Sequence, residues 1–213
     1  MAAESMNAGK KKAVALISSG IDSPVAAWVM KEKGLEIIGL HMDNRPFTDA
    51  RQISKTKRLC KIIGIKKLYV SKHGLAMSDI LKGINRRFTC ILCRRLMFRT
   101  AERVAEKEGA QFMITGENLG QVASQTLDNM SVADKAVSSR MTILRPLLCY
   151  DKQDIVNIAK KIGTYEISIE PPGCCRLVPS NPATKSTVEQ IEKEEDNCRI
   201  RDLNEDFDIE DVG

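Results

Sequence analysis

The chain has 213 residues, 43% of them apolar and 29% charged, enough for one globular domain with a core of its own. No run approaches the roughly 18–20 consecutive apolar residues that a membrane span needs. The polar start, Met1 to Lys12, leads into an apolar segment broken at Ser18-Ser19-Gly20 and Asp22, so a signal peptide is not expected either. These features point to a cytoplasmic protein with no membrane partner. The net charge of +5 is unevenly placed: residues 189–213 carry 11 acidic and 3 basic side chains, which leaves the preceding body strongly basic. Such a body suits a polyanion such as RNA, and equally describes lysine-rich solvated helices.

Taken in order, Ala13 to Ile17 has the length and branching of a buried strand. A tight turn of small residues, Ser18 to Ser23, follows. Pro24 then falls in the first turn of a helix through Lys31, where a missing N–H costs nothing. Residues 35–42 read as a second strand, 47–63 as a helix and 67–70 as a third strand. Helices are expected at 77–88 and 93–107, a fourth strand at 111–114, helical structure at 122–127 and a short strand at 141–144. A further helix spans 152–162, capped by Asp151. Beyond Glu166, Pro and Gly punctuate a loop, a short helix starts near Thr187, and the acidic tail has little to bury and is expected to be loosely packed.

Strands alternating with helices predict an α/β fold: a parallel, doubly wound sheet of about five strands with helices on both faces. The expected organisation is an N-terminal tail (1–12), one domain (13–188) and an acidic C-terminal tail (189–213). Ligands of such sheets sit outside the carboxyl ends of the strands. The Ser18–Ser23 turn, His41 and Thr115-Gly116 all fall at such ends.

A strand, a tight turn and a helix N-terminus aim backbone N–H groups at one spot, which suits a phosphate. The turn lacks the Lys of G-x-x-x-x-G-K-[ST] and is not G-x-G-x-x-G. It is similar to the S-G-G-x-D-S pyrophosphate loop of the ATP pyrophosphatases, with Ser19 where that pattern usually has its first Gly. Further stretches extend the likeness: His41 to Arg51, Cys93-Arg94-Arg95-Leu96-Met97, the run Thr115 to Thr126 (T-G-E-N-L-G-Q-V-A-S-Q-T), Arg145-Pro146-Leu147, Asp151-Lys152, and Ile162 to Ser168. From about Lys12 to Thr187 the chain resembles the catalytic domain of the tRNA 4-thiouridine synthetases, tRNA sulfurtransferases also linked to thiamine biosynthesis.

The resemblance implies ATP and Mg²⁺ as cofactors. Ser18, Ser19, Gly20, Ile21 and Ser23 would hold the phosphates, and Asp22 would hold Mg²⁺, although Asp22 also suits a helix cap. Leu40, His41 and Met42 would lie beside the adenine; read alone, His41 is equally a satisfied strand-end histidine. Thr115 and Gly116 would approach the nucleotide, Gln121 would donate to a phosphate, and Lys152 is a candidate phosphate cation. Glu117 reads as a residue that opens a helix. Arg94, Arg95 and Arg99 lie along one helical turn and would meet phosphate of ATP or RNA, or else form a solvated face.

Seven cysteines in such a chain call for metal or redox chemistry rather than structural bridges. Cys90-Ile91-Leu92-Cys93 is a C-x-x-C, and Cys174-Cys175 follows in a Pro-Pro-Gly loop. Adjacent cysteines point in different directions, so one of the two would join the pair. Three thiolates fall one short of a closed zinc site and suit a [4Fe–4S] cluster with one open iron. Persulfide or disulfide chemistry at the same residues, and zinc or no metal, are the alternatives. Cys60 and Cys149 read as core, and Cys198 lies in the tail. The cluster-dependent branch of the family carries just such a C-x-x-C and one distant Cys.

The implied reaction is adenylation of the C4 oxygen of a tRNA uridine, U8, followed by displacement of AMP by sulfur, with Asp22, Cys90, Cys93 and Cys174 or Cys175 as the catalytic set. Implied partners are tRNA and sulfide or another sulfur donor, with a homodimer as the assembly. The family's N-terminal THUMP region has no counterpart in the dozen residues before the first strand. Recruitment of tRNA would then fall to a separate THUMP-type protein or to the chain's own basic surface. The rival readings are an ATP pyrophosphatase that thiolates or amidates a small molecule or carrier protein, and a non-enzymatic iron–sulfur or sulfur-carrier module.

Overall fold

Along β1 (Lys12–Leu16) successive side chains serve two different cores. Ala13 and Ala15 face one layer of helices, Val14 and Leu16 the other, as the two-residue period of a strand requires. Buried on both sides, β1 forms the centre of the sheet. The structure, a computed structural model, describes residues 10–171, 175–198 and 206–213.

The elements that follow are α1 (Asp22–Glu32), β2 (Glu36–Met42), α2 (Arg51–Ile63), β3 (Lys67–Ser71), α3 (His73–Ile80), α4 (Thr89–Glu108), β4 (Phe112–Ile114), α5 (Leu127–Asp134), β5 (Thr142–Leu144), α6 (Lys152–Lys161), α7 (Tyr165–Ile169), α8 (Val188–Cys198) and β6 (Phe207–Asp211). The sheet order is β5-β4-β1-β2-β3-β6. Strands β1 to β5 pair in parallel and β6 runs antiparallel to β3. Val25, Ala26 and Ala27 of α1, Cys60 and Ile63 of α2, and Ile155 and Ala159 of α6 fill the layer on one face. Phe98, Ala101, Val104 and Ala105 of α4 fill the other. A third cluster joins Met77 and Ile80 of α3, Ile91, Leu92 and Leu96 of α4, and Ile191 of α8. The five parallel strands and the helices on both faces match the sequence expectation.

The departures have local causes. The expected 77–88 helix divides into α3 and a single 3-10 turn at Arg86–Phe88, with Asn85 accepting from the Arg87 amide at its start. Helix α4 begins at Thr89, four residues before the apolar spacing alone suggested, so the C-x-x-C occupies its first turn. Residues 123–125 form one 3-10 turn, after which Thr126 caps α5 by accepting from the Asn129 amide. Asp151 stands at the N-cap of α6 without accepting a cap hydrogen bond from its side chain. Cys60 is core as expected, and burial pushes its thiol up to about 12; Cys149 is exposed.

The acidic segment also differs from the loose tail expected of it. Phe207 to Asp211 adds an edge strand to the sheet, with Phe207 edge-on to the Tyr69 ring. Glu195 of α8 is fully buried and takes two hydrogen bonds each from Arg95 and Arg99 of α4. Composition misled because these carboxylates find partners: guanidinium groups for Glu195, backbone pairing for the strand.

Burial alone would raise the pKa of Glu195, but the hydrogen bonds and charges of Arg95 and Arg99 hold it below the ordinary 4.5. A carboxylate lowered in this way stabilises the fold above pH 4.5, and that contribution is lost as pH falls through the folded-state value. Glu195→Ala strands a buried guanidinium and is expected to cost about 3–5 kcal/mol at pH 7. Urea denaturation of both proteins should show that gap, narrowing below pH 4.5.

Candidate functional site

The carboxyl ends of β1, β2 and β4 open onto a cavity of about 970 Å³. Its floor is the Ser18–Ser23 turn. Ser18 and Ser23 brace one another: the Ser18 amide donates to Ser23 Oγ at 2.8 Å, the two hydroxyls lie 3.0 Å apart, and the Gly20 amide donates to Ser18 Oγ at 3.2 Å. No side chain caps α1, whose N-cap is Ile21, so its first-turn amides keep the anion-binding character of a helix start. Ser19, in place of the usual Gly, is accommodated because its hydroxyl turns aside and donates to Gln52 Oε1 of α2.

Gly116 has a role the sequence did not assign. A Cβ there would lie 2.7 Å from both N and Cα of Ser23, so the absence of a side chain lets the end of β4 pack directly on the phosphate turn. Next to it, Glu117 is buried and heavily paired rather than opening a helix. It accepts from Thr115 Oγ1 at 2.9 Å and from Arg145 Nε at 2.6 Å, and it pairs with Arg94. Arg145 also reaches Asp134. Burial opposes the charge on Arg145, yet Glu117 and Asp134 together raise its pKa above the ordinary value.

His41 is buried at the end of β2. Its Nδ1 lies 2.9 Å from the Ile17 carbonyl, to which it donates, and 3.2 Å from Thr56 Oγ1. Burial holds the ring pKa below 6.5 against the opposing hydrogen bond to Ile17 and the charge of Asp43. His41 is thus both a satisfied strand-end histidine and, with Leu40 and Met42, part of the cavity wall. At the rim, Lys152 pairs with Asp22 at 2.5 Å. Lys55 enters from α2 and donates to the carbonyls of Ser168 and Glu170. Burial lowers its pKa, with the Glu170 charge opposing.

Cys90, Cys93 and Cys175 line the same cavity, and none of them is in a disulfide. Burial pushes the Cys90 thiol up to about 11, with negative charge at neighbouring Cys93 and Cys175 acting in the same direction. Nε2 of fully buried His73 lies 3.2 Å from Cys93 Sγ. Among the described residues no three side chains are already gathered to hold a single metal ion. Three cysteines outside any disulfide line this cavity, two of them near the start of a helix, and they are nonetheless the soft donor set that an iron–sulfur cluster takes. Cys174 lies outside the described residues.

Three expectations need correction. Arg95 is 1% exposed, bound to Glu195 and to the Val132 carbonyl, and Arg99 turns to the same Glu195. Neither lines the cavity; of the three arginines only Arg94 does, held by Ser124 and Glu117. Gln121 is exposed and outside the cavity wall, whereas Gln125 of the same run belongs to it. Asn44, Gln52, Lys55, Glu117 and Gln125 were not singled out as site residues by sequence reasoning. Asn44 falls in the quoted stretch His41 to Arg51, and Glu117 and Gln125 in the run Thr115 to Thr126, whereas Gln52 and Lys55 lie outside every quoted stretch.

Residues 8–200 match the profile of a family described as "Thiamine biosynthesis protein (ThiI)". A "Probable tRNA sulfurtransferase" of Thermoanaerobacter pseudethanolicus is 40% identical over 205 residues, which are 93% of this chain and 53% of that protein. The crystal structure of a 4-thiouridine synthetase–RNA complex with bound ATP superposes with a TM-score of 0.86 at 36% identity, over 93% of this chain and 55% of that one. The U34-tRNA thiolase NcsA from Methanococcus maripaludis, solved with its [4Fe–4S] cluster, covers 88% of this chain and 64% of its own at 18% identity and a TM-score of 0.54, a likeness of fold alone. The chain spans about half the length of the tRNA sulfurtransferase it matches.

An NMR titration of the His41 ring should give a midpoint below 6.5, because burial favours the neutral form. A midpoint at or above 6.5 would mean that the Ile17 hydrogen bond and the Asp43 charge outweigh burial.

Proposed function

The chain belongs to the ThiI family, and on that premise we propose that it is an ATP-dependent tRNA sulfurtransferase that converts a tRNA uridine, U8, to 4-thiouridine. One observation carries the proposal: the Ser18–Ser23 turn and three cysteines outside any disulfide line a single cavity. Activation by ATP and delivery of sulfur would therefore act on the same base without its leaving the site.

The phosphates of ATP would rest on the Ser18–Ser23 turn and the first turn of α1, with Leu40, His41 and Met42 beside the adenine. Asp22 would provide the carboxylate for Mg²⁺, and Lys152, its present partner, the cation for a phosphate. The uridine C4 oxygen then attacks the α-phosphate. A new O–P bond forms, the bond to pyrophosphate breaks, and the N3 proton leaves to solvent. Hydrosulfide next attacks C4, AMP departs with the former C4 oxygen, and the sulfur's proton passes to N3. Displacing AMP is far easier than displacing hydroxide, which is why ATP is consumed.

Cys90, Cys93 and either Cys175 or Cys174 would hold a [4Fe–4S] cluster, whose chemistry is to carry sulfide into the cavity. Arg94, locked by Glu117 and Ser124, is the one positive group of α4 left facing the cavity, and would meet phosphate of the RNA or nucleotide. The partners are tRNA and a sulfide donor. Recruitment would fall to the basic body, assisted by a separate THUMP-type protein or by a second copy in a homodimer. A cytoplasmic setting fits these partners, and no helix among the described residues is long and apolar enough to cross a membrane.

Anaerobic purification followed by iron and acid-labile sulfide assays tests the cysteine half of the proposal. Near four irons per chain are expected in the wild type and a loss of most of them in Cys90→Ala. With tRNA, ATP and sulfide, the wild type should form 4-thiouridine. Cys90→Ala should lose at least about a hundredfold in thiolation rate while still releasing pyrophosphate. An iron-loaded wild type that leaves tRNA unthiolated would refute the proposal.

A further inference from the structure

Among the described residues two uncharged buried side-chain oxygens, Asn44 Oδ1 and Gln125 Oε1, accept no hydrogen bond, and a third, Glu117 Oε1, meets only the charge of Arg94. All three residues line the cavity. Buried acceptors without donors are rare and costly, and a cluster of them on one wall marks where a ligand brings its own donors. Glu117 Oε1 is neutralised by Arg94, and Asn44 lies just past the end of β2, on the nucleotide side. Gln125 is the uncharged acceptor on the cysteine side. Its neighbour Ser124 takes hydrogen bonds from Arg94, the residue that follows Cys93, at 2.9 Å to the carbonyl and 3.2 Å to the hydroxyl.

The backbone at Gln125 is fixed as well. Its amide donates to the Val122 carbonyl at 2.8 Å, and its carbonyl accepts from the Gly120 amide at 2.9 Å. The carboxamide therefore projects from a 3-10 turn braced by its own backbone, and its oxygen is an acceptor awaiting a donor in the cavity that the thiols also line. The base that receives sulfur must lie between those thiols and the phosphate turn. A uracil presents a single ring donor on its Watson–Crick edge, N3–H, between the acceptors O2 and O4. A cytosine presents a bare acceptor at the same atom.

We propose that Gln125 is the residue that selects uracil, its Oε1 accepting from N3–H of the target base. This rests on the tRNA sulfurtransferase reading and adds to it the group that distinguishes one base from another. The wrong base sets acceptor against acceptor, which disfavours its binding.

The test is equilibrium binding, by fluorescence anisotropy in the presence of a non-hydrolysable ATP analogue, of tRNA transcripts carrying uridine, cytidine or N3-methyluridine at the target position. Wild-type protein should bind the uridine transcript about tenfold more tightly than the other two. Gln125→Met, which keeps the length and removes the acceptor, should bind all three alike with unchanged affinity for the ATP analogue. Gln125→Glu, which keeps an acceptor, should retain the preference for uridine. A Gln125→Met protein that still prefers uridine overturns the proposal. Weakened binding of the ATP analogue itself also overturns it, assigning the oxygen to the nucleotide. A wild type with no affinity for any of the transcripts, even with a THUMP-type RNA-binding protein supplied, would instead overturn the sulfurtransferase reading on which the proposal stands.

Discussion

Among the described residues Arg95 heads the fully buried side chains by volume, and its charge can sit inside the protein because Glu195 is buried with it. Two parallel N–H···O bonds and a third to the Val132 carbonyl saturate most of the guanidinium. The pair joins three elements: α4, whose first turn carries the C-x-x-C; α5, through Val132; and α8, through Glu195. Arg99 adds a second positive charge to the same carboxylate. The rotation of α4 is thereby fixed. With Arg95 turned inward, the next residue back, Arg94, and the cysteines before it are directed at the cavity.

That rotation explains how one helix serves two purposes. Phe98, Ala101, Val104 and Ala105 form a narrow apolar stripe against the sheet, and Ile91, Leu92 and Leu96 pack toward α3 and α8. The thiols and Arg94 occupy what remains of the N-terminal turns. Opposite them, the contact of Gly116 with Ser23 brings the end of β4 onto the phosphate turn, so the chemistry of β1 and that of β4 share a wall. The cavity is the space left between these two close approaches.

Much of this was legible in the sequence. Patterns of two and of three to four residues gave the five parallel strands and most of the helices, because buried strands and amphipathic helices are set by local alternation. The phosphate turn and the C-x-x-C were visible for the same reason, since each is a contiguous motif. What stayed hidden depends on pairs far apart in the chain. Nothing near Arg95 announces Glu195, one hundred residues on, so three arginines on one helical turn looked equally suited to RNA. Glu117 and Arg145 are ordinary charged residues until the fold sets them 2.6 Å apart. The same holds for the acidic segment, whose composition indicates a loose tail while Glu195 is buried against α4 and Phe207–Asp211 pairs with β3. Gln121 and Gln125 stand four residues apart in one run, and only the 3-10 turn between Val122 and Thr126 decides which of them faces inward.

The antiparallel pairing of β6 with β3 has a consequence for how the molecule behaves among its own copies. Without it, β3 would end the sheet with a free row of N–H and C=O groups beside Leu68, Tyr69 and Val70, a template onto which another chain could zip. The strand that covers this row carries Asp208, Glu210 and Asp211, and Glu210 is tied to Lys57 at 2.9 Å. The new outer edge is therefore anionic, and a second copy approaching edge to edge meets like charge. In a body otherwise rich in lysine and arginine, β6 acts as an electrostatic hem that keeps the sheet from growing beyond one molecule.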